Sequence, residues 1–178
     1  TPAVNLSFSW TVADALGTVT KVRASDAADA TVADSSNANF TIKGGLVLGV
    51  PNGGELWRVG ETRNITWTRT GSIANVKLEY STDGGFNYSN TIIASTPAAS
   101  GSYTWTIPDA IGAALRVKVT DLSDASVFDA SDGNFTVWGV IESSITPTVT
   151  TSCQGITLTV PWQTTVATDA AVDKLGAF

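Results

Sequence analysis

Residues 7–44 are written a second time as residues 102–139, at a constant offset of 95 positions, with 17 of 38 positions identical and no gap. The shared positions include Trp10 and Trp105, Asp26 and Asp121, Val32 and Val127, and Phe40 and Phe135. Stretches so alike in spacing are expected to fold alike, because apolar alternation and turn residues fall at the same places in both. The copies differ in what precedes them. Strand-rich sequence from about Val50 leads into the second copy, whereas six residues stand ahead of the first. The chain therefore reads as opening in the middle of a module.

A length of 178 residues leaves room for one or two domains. The net charge of −6 and a pI near 4.4 argue against a nucleic-acid partner, whose phosphates require a basic stripe. Apolar runs are short and broken by Gly and Thr, so no segment reads as a bilayer span or a leader peptide. The chain holds no methionine and so reads as a processed form or an excised piece. Threonine is abundant at 26 residues while charged residues make up only 15%. This balance suits pleated sheets with solvated hydroxyls and is typical of secreted or surface β-proteins. Cys153 is the only cysteine, which excludes a disulfide within the chain. It reads as a small, partly buried hydrophobe, a link between chains being the other use.

From about Val50 to Gly139 short alternating runs are separated by turn signals. Val50-Pro51-Asn52-Gly53-Gly54 is an opening turn. Strands are expected over 64–68 with Ile65 and Trp67 inward, and over 76–80 with Val76, Leu78 and Tyr80 inward. Further strands follow over 91–94, 103–107, 115–119 and 135–137. Short strands of period two, spaced by Gly, Asp, Asn and Pro, form the pattern of an antiparallel β-sandwich. Helical periodicity is absent from this span.

Several of these residues together carry a resemblance. They are Pro51-Asn52-Gly53-Gly54-Glu55 with Trp57, Gly60 and Ile65-Thr66-Trp67, then VKLEYSTDGG from Val76, GSYTWTIP from Gly101 and RVKVTD from Arg116. The run resembles the tandem immunoglobulin-like β-sandwich repeat of large secreted bacterial surface proteins, and is similar to the module of Ser/Thr-rich fungal wall proteins. The resemblance spans one full module and, as a half-repeat, the first 44 residues; residues 141–178 do not follow it. It implies an all-β chain of antiparallel immunoglobulin-like β-sandwiches in tandem, the first entered at mid-domain. The divisions are then 1–45, the C-terminal half of a module; 46–140, a complete module; and 141–178, a β-rich tail that supplies donor strands or begins a further module. The resemblance implies a structural or adhesive role and brings no catalytic residue.

In the first copy Phe8, Trp10 and Val12 are expected to form one inward row, Val22 and Ala24 another, and Phe40 with Ile42 a third. Burying a side chain of this size contributes roughly 1.5–3 kcal/mol. Leaving about six of them wet forfeits on the order of 10 kcal/mol, the stability of a whole domain. Something is expected to cover that face. The tail offers Ile145, Pro147 and Val149, then Ile156, Leu158, Val160 and Trp162, alternating with polar residues or Pro161 as two strands without a partner of their own. Residues 169–175 read as two turns of helix before Gly176. Three arrangements stay open: the tail of one chain completes the next by strand addition and propagates a fibre, the tail folds back on its own chain, or the chain is a cut piece of a longer array.

The remaining motifs have modest readings. Asp26, Asp29, Asp34, Asp121, Asp124 and Asp129 supply either calcium-binding oxygens or turn chemistry. The run Ser81-Thr82-Asp83-Gly84-Gly85-Phe86-Asn87-Tyr88 resembles an Asp-box, which implies a structural turn. Trp10, Trp67 and Trp105 read as core, leaving Trp57, Trp138 and Trp162 as candidates for a saccharide platform. Sequons occur at Asn5, Asn39, Asn64, Asn87 and Asn134. Histidine is absent, which removes the usual general base and His-held metals. Glu55, Glu61, Glu79 and Glu142 form no recognisable carboxylate pair. The expectation is a non-catalytic extracellular protein without cofactor or metal, a subunit of a surface filament, sheath or adhesin stalk. Its partners are copies of itself or neighbouring repeats head-to-tail. The alternative is a carbohydrate-binding or spacer module of a larger secreted protein.

Overall fold

Residues two apart on a strand share a face, so a strand with one apolar row folds only where a second sheet covers that row. The computed structural model describes residues 7–139, 148–152 and 155–159. The first copy carries four short strands, β1 (Gly17–Thr20), β2 (Arg23–Ser25), β3 (Ala33–Ser35) and β4 (Phe40–Ile42). The next nine are β5 (Gly45–Val50), β6 (Leu56–Arg58), β7 (Thr62–Thr70), β8 (Asn75–Ser81), β9 (Asn90–Pro97), β10 (Ser102–Thr106), β11 (Gly112–Asp121), β12 (Phe128–Ala130) and β13 (Phe135–Trp138). The last described strands, β14 (Thr148–Ser152) and β15 (Gly155–Thr159), pair antiparallel with each other. The chain is nearly all β; a 3-10 turn at Ala98–Ser100 is the one helical element among the described residues. No helix among them is long and apolar enough to cross a membrane.

Between Gly45 and Trp138 two sheets face each other. One has the order β10-β7-β5, and the other β6-β13-β11-β8-β9 with β12 beside β11. All neighbours are antiparallel except β6 and β13. Leu46, Leu48, Ile65, Trp67 and Trp105 from the first sheet share one buried core with Val76, Leu78, Leu115, Val117, Val119 and Phe135 from the second. Ile65, Trp67, Val76 and Leu78 therefore lie inward where the sequence predicts them, whereas the Leu46 and Leu48 row of β5 is not predicted. Nine strands form where six ranges are expected. The short β6 and β12 have three residues each, too few for a period to register, and β5 lies ahead of the opening turn.

That turn depends on glycine. Gly53 has φ +132°, and a Cβ there would stand 2.8 Å from the Cα of Gly133, so only glycine allows the two backbones to approach. Glu55 closes the turn by accepting from the backbone N–H of Asn52 at 2.7 Å and of Gly53 at 2.8 Å.

The two copies fold to the same register. β11 pairs with β13 through Gly112–Val137 and Leu115–Phe135, with an irregularity between them. β1 pairs with β4 through Gly17–Ile42 and Thr20–Phe40, with the irregularity at the same place. Likewise Lys118–Ala130, Val119–Asp129 and Thr120–Phe128 match Arg23–Ser35, Ala24–Asp34 and Ser25–Ala33. The turn bonds repeat as well: Asp26 N–H to Val32 C=O at 2.8 Å, and Asp121 N–H to Val127 C=O at 2.9 Å.

Two expectations need correction. Phe8, Trp10 and Val12 lie on no strand. Their counterparts in β10 are held by a ladder to β7, and the first copy has no strand in that place. The two tail runs are not partnerless, since residues 148–152 and 155–159 form a hairpin. Ile145, Pro147, Val160, Trp162 and the helix expected at 169–175 lie outside the described residues.

Candidate functional site

The first copy repeats the register of residues 102–139, and the second copy shows which strands cover that register between Gly45 and Trp138. In the complete module residues 102–106 pair with β7, residues 116–121 with Val76 to Ser81 of β8, and residues 136–138 with β6. The counterparts are residues 7–11, 21–26 and 41–43; residues 7–11 lie on no strand, and β2 and β4 each have one unpaired edge among the described strands. Unpaired edges are templates for a further strand.

The apolar rows tell the same story. Trp105 is 7% exposed and Trp10 49%; Val117 is 0% and Val22 48%; Val127 is 7% and Val32 60%. Phe40 is half-buried, with the Trp10 ring edge-on at 6.4 Å. In the complete module Phe135 instead meets Trp57 at 4.9 Å. Trp57 comes from the front half, so Trp10 turns to Phe40 where no such ring is present.

The junction between the first copy and the following module is tight. β4 ends at Ile42 and β5 begins at Gly45, leaving two residues between them. The Asp14 carboxylate accepts from the Ser72 N–H at 2.9 Å and its hydroxyl at 3.2 Å. Lys43 Nζ pairs with Asp124 Oδ2 at 3.2 Å and donates to Ser126 Oγ. Leu16 packs against the module's core. A cleft of about 250 Å³ remains here, lined by Leu16, Ile42, Lys43, Asp121, Asp124 and Val127 among others.

The repeated aspartates act as turn builders. Asp26, Asp29, Asp121 and Asp124 each accept from the backbone N–H two residues on, at 2.8–3.0 Å. Hydrogen bonds from Thr31 hold the Asp29 carboxyl below the usual carboxylate range, and those from Ser126 and Lys43 do the same for Asp124. Asp129 reaches across to accept from Leu48 N–H at 2.7 Å. Among the described residues no three His, Cys, Asp or Glu side chains group closely enough to hold a metal ion.

The Asp-box residues link β8 to β9. Ser81 Oγ donates to Asp83 Oδ1 at 2.5 Å and accepts from the Gly85 N–H at 2.9 Å. Asn87 donates to Asp83 through its backbone at 3.0 Å and its side chain at 2.8 Å. These bonds, the Ser81 hydroxyl first, bring the Asp83 carboxyl down to about 2.

The carboxylates weighed as catalytic candidates are otherwise engaged. Glu55 closes the opening turn. Glu61 accepts from Arg58 N–H at 2.7 Å and pairs with Arg63 at 2.9 Å. Glu79 stands between Lys77 at 2.6 Å and Lys118 at 3.4 Å. Glu142, Cys153, Asn5 and Trp162 lie outside the described residues.

The saccharide platform loses a member. Trp57 is 4% exposed, packed between Trp105 at 6.2 Å and Phe135, so neither face is free to stack. Its neighbours are Leu56 and Arg58 on a strand of three residues, too short to show which face is inward, so alternation alone misplaces it. Trp138 is exposed. Sequence reasoning missed a groove of about 550 Å³ on the solvent face of the larger sheet, lined by Lys77, Glu79, Tyr88, Lys118, Thr120 and Phe128 among others. Lys118 sits over the Tyr88 ring at 4.7 Å, and Thr120 Oγ1 is buried without a partner. No family model and no curated protein matches this chain.

Proposed function

We propose that this chain is a non-catalytic structural element of an extracellular surface assembly, a stalk, sheath or filament built from tandem immunoglobulin-like sandwiches. The observation that carries the reading is the junction. The first copy passes into the following module with two residues between β4 and β5, pinned by Asp14 to Ser72 and Lys43 to Asp124. Modules joined this closely stack end to end and resist bending, which suits a spacer that holds something away from a surface. A threonine-rich, acidic exterior keeps such a rod solvated. The test is labelling of intact source cells with a membrane-impermeant amine reagent. Labelled lysines, together with an elongated scattering profile of the purified chain, are expected. Protection of every lysine until the cells are broken overturns the reading.

A second reading, carbohydrate binding, is favoured by the groove at Tyr88 and Phe128, where the unpartnered Thr120 hydroxyl awaits a hydrogen bond. Retention on an insoluble polysaccharide that is lost with Phe128→Ala supports it. Equal retention of the two proteins removes it.

A further inference from the structure

We infer that the open face of the first copy is a docking site for a front half-module, five strands with the pattern of β5 to β9; the inference deepens the structural reading above and rests on it. The second copy supplies the argument. Its back half is covered by such strands through three ladders, and the first copy holds two of the corresponding edges, β2 and β4, in the same register, with residues 7–11 standing where the third strand lies. The exposed Trp10, Val22 and Val32 stand where Trp105, Val117 and Val127 are buried.

Two polar groups of the first copy also match contacts that the second copy makes with its covering strands. Asp129 binds the Leu48 N–H of β5, and Ser131 Oγ donates to the Pro51 C=O at 2.7 Å. Their counterparts are Asp34 and Ser36. Ser36 Oγ already accepts from Val22 N–H at 3.3 Å, as Ser131 does from Val117 at 3.0 Å, leaving its proton for an incoming carbonyl.

The fit also says how the occupant differs from β5 to β9. Thr20 and Ala24 stand in place of Leu115 and Val119, so the facing side chains of the occupant are larger. Ala38 stands in place of Gly133, where a Cβ would meet the Cα of Gly53 at 3.3 Å, so its opening turn sits a few tenths of an ångström further out. Among the described residues of the tail, β14 and β15 pair with each other as one hairpin, whereas the module covers its back half through three ladders.

The experiment titrates the full chain with a separate polypeptide of residues 45–101 and reads amide hydrogen exchange. A one-to-one complex is expected in which amides of residues 7–11 and 21–26 slow at least tenfold. Val22→Lys places a charge on the docking face of a residue exposed in the free chain, and weakens binding at least tenfold. Val19→Lys, whose counterpart Ala114 faces outward from the core, leaves binding unchanged, and Ala38→Gly tightens it. An isolated front half has an open face of its own, so residues 45–101 are also fused directly ahead of residue 7 of the chain, in the order of the complete module. The same slowing is expected there. Unchanged exchange in both forms overturns the inference. So does equal protection by a peptide of residues 141–178, which assigns the face to the tail. Failure here with cell-surface labelling intact removes the docking site alone; loss of surface labelling with docking intact removes the structural reading alone.

Discussion

The same substitution at equivalent positions, Phe135→Ala and Phe40→Ala, is expected to have very different costs. Phe135 is fully buried, with the Trp57 ring 4.9 Å away. Truncating such a phenyl in a closed core costs about 3–5 kcal/mol, of which roughly 0.5–1.5 is the aromatic pairing. Near the transition, 1 kcal/mol moves the midpoint of a domain this size by about 4–8 °C, so the module's melting point falls by at least about 12 °C. Phe40 is half-buried, with Trp10 edge-on at 6.4 Å. It can lose only about half the transfer term, on the order of 1 kcal/mol, and leaves no closed cavity. Urea unfolding followed by tryptophan fluorescence suits the comparison, because Trp57, Trp67 and Trp105 are buried in the module whereas Trp10 and Trp138 are exposed. Phe135→Ala is expected to shift the main midpoint strongly, and Phe40→Ala to leave it nearly in place. A comparable shift from Phe40→Ala would refute the reasoning, since it would mean that the first copy's face is covered and unfolds with the module.

Ser131 is buried and bridges Val117 N–H to Pro51 C=O; Ser131→Ala leaves a donor and an acceptor unpaired and is expected to cost about 1–3 kcal/mol in urea unfolding. Ser36→Ala, lacking the second half of that bridge, is expected to cost less in the same measurement. Asp83 has its folded pKa lowered from 3.8 to about 2, so the stability it adds is full above 3.8 and drains as pH falls toward 2. Amide protection in residues 81–88 should therefore drop across that window, read by hydrogen exchange, and Asp83→Asn should remove the pH dependence. Lys43 and Asp124 are both partly exposed, so Lys43→Ala is expected to change stability by no more than about 1 kcal/mol. Residual dipolar couplings of the two copies should nonetheless show a looser junction.

The complete module was legible because its rows are long enough to display a period: Ile65 and Trp67, Val76 and Leu78, and Leu115, Val117 and Val119 all point inward as alternation requires. Trp57 was not legible, because three residues of β6 carry no period and the parallel ladder to β13 that buries it joins residues about eighty apart. The groove at Thr120 was hidden for a related reason, being assembled from the solvent faces of β8 and β11 and the loop that carries Tyr88. The aspartate pattern leaves both turns and cation ligands open in the sequence, and the turn bonds of Asp26, Asp29, Asp121 and Asp124 appear only with the geometry of their N–H partners.

The first copy marks where local reading ends. Residues 7–11 and 102–106 share Trp and Thr at equivalent places, yet only the second segment is a strand. Nothing in the propensity of these residues accounts for the difference. A strand is a property of two segments, because its N–H and C=O groups and its apolar row are satisfied only by a neighbour. β7 gives that neighbour to Ser102–Thr106. Turns need no such partner, which is why the Asp26 and Asp29 turns and the short β1–β4 and β2–β3 ladders form unaided in the first copy. The strand state of residues 7–11 is thus conditional on an incoming front half, and an extended conformation there on docking follows from the ladder requirement alone.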